Sequence, residues 1–184
     1  MKKTLIIIAI IVVAVGAYAW SSYNSLVTLN VAADTQWKQV ETQYQRRFDL
    51  IPNLVESVKG VMKQEQSVFD AIAQARTQYS GATTADAKAA AANQVEGALG
   101  RLLVITENYP QLKSSEAVQS LMTQLEGSEN RVSVERTRFN QSIQAYNLKV
   151  MRFPSSLMAS MFGFGERHYF DAVPGAEVAP AVKF

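Results

Sequence analysis

Glu126 and Glu129 stand three residues apart in a stretch with helical spacing, an arrangement that gives a helical bundle half of a carboxylate-bridged metal site. The other half of such a site is a Glu-x-x-His pair, and the chain has none, because His168 is its only histidine. A Ser-His-Asp triad or a histidine proton shuttle lacks a second member for the same reason. The absence of cysteine excludes disulfides, thiolate ligands and a cysteine nucleophile. Phosphate-binding turns of the Gly-x-x-x-x-Gly-Lys or Gly-x-Gly-x-x-Gly type do not occur either. A solvated helix surface accounts for Glu126 and Glu129. The expectation is no catalytic residue, no metal and no cofactor.

A second group of polar residues has more to explain. Arg46-Arg47-Phe48-Asp49-Leu50-Ile51-Pro52-Asn53 places charge and a proline inside an apolar-periodic stretch. Asp49 and Asn53 lie one helical turn apart on one face, while Arg47 falls on the apolar stripe. Glu135 occupies the equivalent stripe further along, with Glu129, Arg131, Arg136 and Arg138 around it. The structural reading is a buried or half-buried Arg–Glu network that fixes helix register. The functional reading is a recognition site. Asp49 to Asn53 would alternatively cap a helix restarting at Pro52. Inside a helix, proline costs about 3 kcal/mol and produces a kink, whereas at a first helical position it is welcome. Because the stripe passes through Pro52 in register, a kinked but roughly continuous helix is expected.

The elements that position these residues are helical. Leu26, Leu29, Ala33, Trp37, Val40, Tyr44, Arg47, Ile51, Leu54, Val58, Val61, Glu65, Val68, Ile72, Ala75 and Tyr79 alternate spacings of three and four, which is the seam of a coiled coil. Ser80-Gly81-Ala82 ends the stretch, with Thr83 or Thr84 able to cap the next helix. That helix runs to about Asn108 and carries Ala91, Val95, Ala98, Leu102 and Ile105 on one face. Tyr109-Pro110 stops it, and Ser114-Ser115-Glu116 starts another. There Val118, Leu121, Leu125, Ser128, Val132, Glu135, Phe139, Ile143, Tyr146, Val150 and Phe153 trace a second seam. The pair of seams predicts an all-α fold, an elongated antiparallel helical bundle of three to four long helices. A single rod through Tyr79 gives three helices and carries the tail away from the chain's start, whereas folding back at Pro52 gives four and returns it.

The bundle is preceded by a candidate membrane span. No residue from Thr4 to Ala33 is charged, and Leu5 to Trp20 is apolar behind Lys2 and Lys3. A helix needs about 20 such residues to cross a hydrocarbon core of about 30 Å. Trp20 and Tyr23 fall where interfacial aromatics belong. Ala17-Tyr18-Ala19 also has the form of a signal-peptidase site. The continuing absence of charge, the aromatic pair and the lack of a helix breaker favour a retained single-pass anchor over residues 1–22. Lys2 and Lys3 against Lys38 alone place the N-terminus in the cytoplasm and the bundle, 23–153, outside. All 16 acidic residues and all but two of the 18 basic ones lie beyond Lys3, so the bundle and tail carry no formal net charge. Nothing in that balance points to a nucleic-acid footprint, which needs Lys and Arg clustered on one face.

The tail, 154–184, opens with an uncharged apolar run that includes Leu157, Met158, Met161, Phe162 and Phe164. It is too short and broken to span a bilayer. It is either a strap packed on the bundle or an exposed surface for a partner or a membrane.

One ordered series of pieces is specific. Tyr23-Asn24-Ser25-Leu26-Val27, Trp37-x-x-Val40, the run Arg46 to Gly60, Ala75-Arg76, Glu107-Asn108-Tyr109-Pro110, Glu129-x-Arg131, Arg138-Phe139-Asn140, Tyr146-Asn147 and Phe153-Pro154 together resemble the LemA family. The resemblance runs from about residue 21 to 154 and ends in Gly163-Phe164. Phe48 and Val61-Met62 depart from the family's common residues without altering the fold it implies. The resemblance implies a membrane-anchored helical bundle with no established enzymatic activity, from a family associated with membrane processes, with one relative linked to shaping magnetosome membranes and some members encoded beside membrane proteases. No catalytic residue carries over. The function expected is a non-enzymatic, self-associating scaffold of the bacterial inner membrane that organises or remodels membrane or envelope assemblies. The alternative is an adaptor or regulator of a membrane protease or another envelope complex. The partners expected are the lipid bilayer and further copies of the chain, with a membrane protease or envelope protein as the alternative and no nucleic acid.

Overall fold

The computed structural model describes residues 2–62 and 65–170, apart from the side chain of Lys113. The Pro/Ala/Val end of the tail, 171–184, lies outside the described residues. Among the described residues six helices follow in chain order: α1 (Lys2–Lys59), α2 (Gln66–Gly81), α3 (Ala85–Thr106), α4 (Pro110–Lys113), α5 (Glu116–Met151) and α6 (Ser155–Phe162). There is no strand among the described residues. The fold is all-α, as the two seams require. The chain divides into two compact units, one built from the chain up to Lys38 with Thr137–Tyr169, the other from Gln39–Arg136 with Phe170.

In the first unit, α1 begins as an apolar helix exposed on every side. Leu5, Ile10, Val13 and Trp20 are 65, 63, 70 and 73% exposed. It is long and apolar enough to cross a membrane. Burial begins abruptly at Ser22 and Leu26 and continues through Ala33 and Trp37. Leu26 packs with Tyr146 and Val150 of α5, and Trp37 meets Phe139 at 5.3 Å between ring centroids. Those pairings run in opposite directions along the two helices, so they are antiparallel here. Helix α6 closes the unit through Ala159 and Met158. Gly163 ends α6 in the left-handed conformation, φ 74°, where a side chain is disfavoured, and the Phe164 N–H returns to the Ala159 carbonyl at 2.9 Å.

In the second unit, the remainder of α1 buries Val40, Tyr44, Phe48, Ile51, Leu54 and Val58. Lys88 and Glu96 of α3 pair with Glu41 and Arg47, which makes α3 parallel to α1. Tyr79, near the end of α2, packs edge-on against Phe48 and tilted against Tyr44. Glu65, just before α2, accepts from the Tyr109 hydroxyl just after α3, at 3.4 Å. α2 is therefore antiparallel to both, and Glu129 and Arg136 of α5, facing Arg47 and Tyr44, return a fourth helix. Thr84 is the cap of α3, its hydroxyl accepting from the Ala87 N–H at 3.2 Å.

Three expectations need correction. The first seam is not one rod to Tyr79: α1 ends at Lys59, Val61 is 38% exposed, and α2 restarts at Gln66. Gly60 is a poor helix former, and Met62, fully buried, turns inward to take the next core position. The helix does continue through Pro52, as the in-register stripe leads one to expect, with the proline exposed inside α1. Among the described residues four long helices result, α1 giving way to a turn at Gly60 and Val61. Finally, Phe153 leaves the second seam, lying beyond α5 and 80% exposed, and α3 stops at Thr106 with the short α4 inserted before α5.

Pro52 supplies no N–H to the Phe48 carbonyl four residues earlier, a cost with no visible return at an exposed position. Pro52→Ala is therefore expected to raise stability by about 1–3 kcal/mol. The measurement is the urea midpoint of the detergent-solubilised chain. An unchanged or lowered midpoint would show that the proline geometry serves the fold.

Candidate functional site

The most polar part of the interior lies in the second unit. Arg47 is 4% exposed, in keeping with its place on the α1 stripe. Its two terminal nitrogens donate to Glu96 of α3 and Glu129 of α5, each at 3.1 Å. Glu96 also receives Arg136 of α5, at 2.5 Å. Arg136 Nε donates to the Tyr44 hydroxyl at 2.8 Å, and the same guanidinium lies 4.4 Å from the Phe170 ring centroid. One carboxylate thus sits between two guanidiniums on three helices, and the Tyr44 phenol is a further acceptor for Arg136. Burial holds the Tyr44 hydroxyl far above the ordinary phenol range, with the Arg136 charge opposing that rise. Tyr79 is pushed up to about 12, first by burial and then by Glu41.

The arrangement is closed by its own members. Glu96 is 14% exposed and engaged twice, and Arg47 Nε is buried with no hydrogen-bond partner. Such a cluster orients helices, and it presents no nucleophile beside a base. No group of three or more His, Asp or Glu able to hold a metal lies among the described residues. Of the residues singled out in the sequence, Arg47 is central. Glu135 is half-buried on α5, one residue before Arg136. Arg46, Asp49, Pro52 and Asn53 are exposed. Asp49 accepts from Gln45 at 2.9 Å, and Asn53 contributes its carbonyl to Ser57. They are not brought together with Arg47. Glu96 escaped the sequence reading because it flanks Val95 at the edge of the α3 stripe.

In the first unit the tail is fastened by hydrogen bonds to its backbone. Asn147, 3% exposed, donates to the Arg167 carbonyl at 2.8 Å and accepts from the Arg167 N–H at 2.9 Å. The Tyr146 hydroxyl donates to the Gly165 carbonyl at 3.0 Å. Arg167 in turn reaches Asn30 at 2.9 Å and Asp34 at 2.7 Å on α1. Phe162 and Phe164 meet Tyr23 edge-on, with centroids at 4.9 and 5.8 Å. The residues from 163 to 169 are therefore a strap, and Phe162 and Phe164 lie beside the exit of the apolar helix. Asn147 stood in a motif of the sequence, but neither its burial nor its target, a backbone segment twenty residues on, was visible there.

The fold and these clusters define a helical bundle continuous with a helix long and apolar enough to cross a membrane, with structural polar clamps inside. The chain belongs to the LemA family, whose model matches residues 36–184. It is also similar to two magnetosome proteins of Paramagnetospirillum magneticum strain AMB-1, MamQ 1 and MamQ 2. Each is 25% identical over 199 residues that cover 94% of this chain and 73% of the relative. Magnetosome protein MamQ of Magnetospirillum gryphiswaldense strain MSR-1 is 26% identical over 181 residues, 84% of this chain and 66% of that protein. The protein is accordingly a membrane-anchored, all-helical member of that family.

The cluster separates two outcomes by magnitude. Arg47→Met leaves buried Glu96 with half its compensation and is expected to cost about 3 kcal/mol, whereas Glu129→Gln, at a position 61% exposed, should cost less than about 1 kcal/mol. Urea unfolding of both variants checks the contrast, and equal losses would refute the assignment of Glu96 as the principal partner.

The phenols set an alkaline limit. A tyrosine whose pKa is higher folded than unfolded binds more protons when folded, so its contribution to stability is complete below pH 10 and lost as pH rises to about 12. Thermal midpoints should fall across that window. Tyr79→Phe should flatten the fall, and an identical slope in the variant would remove Tyr79 as its cause.

Proposed function

We propose that this protein is a non-enzymatic scaffold that self-associates on the bacterial inner membrane and organises or remodels membrane or envelope assemblies, with its N-terminus in the cytoplasm and its bundle outside. The observation that carries this reading is the continuity of α1. The same helix that is exposed and apolar from Leu5 to Trp20 supplies Leu26, Ala33 and Trp37 to a folded core. No linker intervenes, so a packed surface is held directly at the bilayer exit rather than on a tether. The absence of net charge beyond Lys3 leaves little electrostatic opposition to packing copies side by side. The similarity to magnetosome proteins supports a role at membranes. Lys2 and Lys3 support the orientation.

The test is particle mass in mild detergent or native membrane particles, for the full chain and for one starting at Tyr23. A large discrete homo-oligomer that falls to monomers without the anchor is the expected result. A monomer in both preparations would overturn self-association, and co-purification of a membrane protease or envelope protein with that monomer would favour the adaptor role.

A further inference from the structure

Helix α6 has two faces with different surroundings. Its inner face, Ser155 and Ala159, is buried, and the Ser155 hydroxyl donates to the Lys149 and Arg152 carbonyls at the end of α5, at 2.6 and 2.7 Å. Those bonds fix the orientation of the helix. Its outer face presents Leu157 and Met161, 55 and 73% exposed, flanked by Phe153 at 80% and Phe162 at 50%. No charged residue occurs from Phe153 to Gly165, while Arg152 and Glu166 bound the segment.

We infer that α6 is an interfacial membrane helix, its outer face lying in the lipid headgroup and acyl boundary of the leaflet from which α1 emerges. The bilayer is the occupant because of where α6 sits. Phe162 and Phe164 are packed on Tyr23, and Tyr23 stands about 30 Å along α1 from Lys2, where a helix that starts at one interface reaches the other. Trp20, one turn earlier, is 73% exposed. Trp20, Tyr23 and Phe162, the last packed on Tyr23, thus fall within about one helical turn along α1, the distribution found at membrane–water interfaces. A short helix beside those aromatics, apolar outward and uncharged, has the character of a segment that lies about 5–10 Å into the boundary. It gives the chain a second contact with the same leaflet, independent of whether copies associate.

The chain has no cysteine, which permits single-site labelling of the full-length protein. Leu157→Cys, Met161→Cys and, as a reference at an exposed position on α5, Thr123→Cys would each carry an environment-sensitive fluorophore. The proteins would be reconstituted at one chain per vesicle in phosphatidylcholine–phosphatidylglycerol liposomes. Nitroxide-labelled lipid is expected to quench positions 157 and 161 at least roughly threefold more than 123, with the reverse order for aqueous iodide. Equal iodide quenching at all three positions would overturn the proposal by showing a water-exposed face. Shielding of 157 and 161 from both quenchers would overturn it too, since a protein surface would then be the occupant. Either failure would leave the scaffold reading intact.

Discussion

One helix has to satisfy two solvents without interruption, and the rest of the structure depends on that. In hydrocarbon every backbone polar group needs an internal partner, so the segment from Leu5 to Trp20 is confined to helix. Continuing the same hydrogen-bonded ladder past Tyr23 avoids a loop with unpaired groups at the interface. What changes along α1 is only the side-chain pattern, from apolar on all faces to apolar every three or four residues. Leu26 is fully buried, while Tyr23, three residues earlier, is 38% exposed. In each unit the other helices pack on the strip that α1 offers: α5 and α6 in one, α2, α3 and α5 in the other.

A seam repeating every 3.5 residues does not determine its own register. Sliding α5 along α1 by seven residues would still match apolar positions with apolar positions. The charged cluster removes that degeneracy, because Arg47 must meet Glu96 and Glu129 while Arg136 meets Glu96 and Tyr44. A slip would leave a 4% exposed guanidinium opposite aliphatic side chains, at a cost of several kcal/mol. The net contribution of the cluster to stability is smaller, since burial of three charges opposes it and Arg47 Nε has no partner. Its main effect is selection among registers.

This division explains what could be read from the sequence. Periodic information was legible: the stripe residues Leu26, Ala33, Trp37, Val40, Tyr44, Ile51, Leu54 and Val58 are all buried, as are Val118, Leu125, Val132, Phe139, Ile143, Tyr146 and Val150. So was the cationic intruder Arg47, since it breaks the pattern. The turn at Gly60 and Val61 was not, because Val68 of α2 is in phase with α1 and the spacing hides the gap. Glu96 and the Asn147–Arg167 clamp depend on contacts between distant segments, which no local period encodes. Continuity through Pro52 was legible too, because the stripe passes it in register and at an exposed position a helix tolerates it.

The distribution of exposed apolar residues argues that the two units meet different surroundings. In the second unit Val61, Leu103, Val104 and Val134 are exposed singly or in one adjacent pair, which ordinary protein surfaces accommodate without consequence. In the first unit the exposed set is Leu5 to Trp20, Tyr23, Val31, Leu148 and Tyr169, and with them Met151, Phe153, Leu157, Met161 and Phe162. The tail brings the last of these back to Tyr23 through ring contacts and holds them there with Tyr146, Asn147 and Arg167. Clamping that many polar groups to keep apolar side chains outward makes physical sense only if the outward side is not water. The strap is thus better understood as a device for presenting α6 than as a cover for the core, which α5 and Leu26 already close on the other face of Ala159.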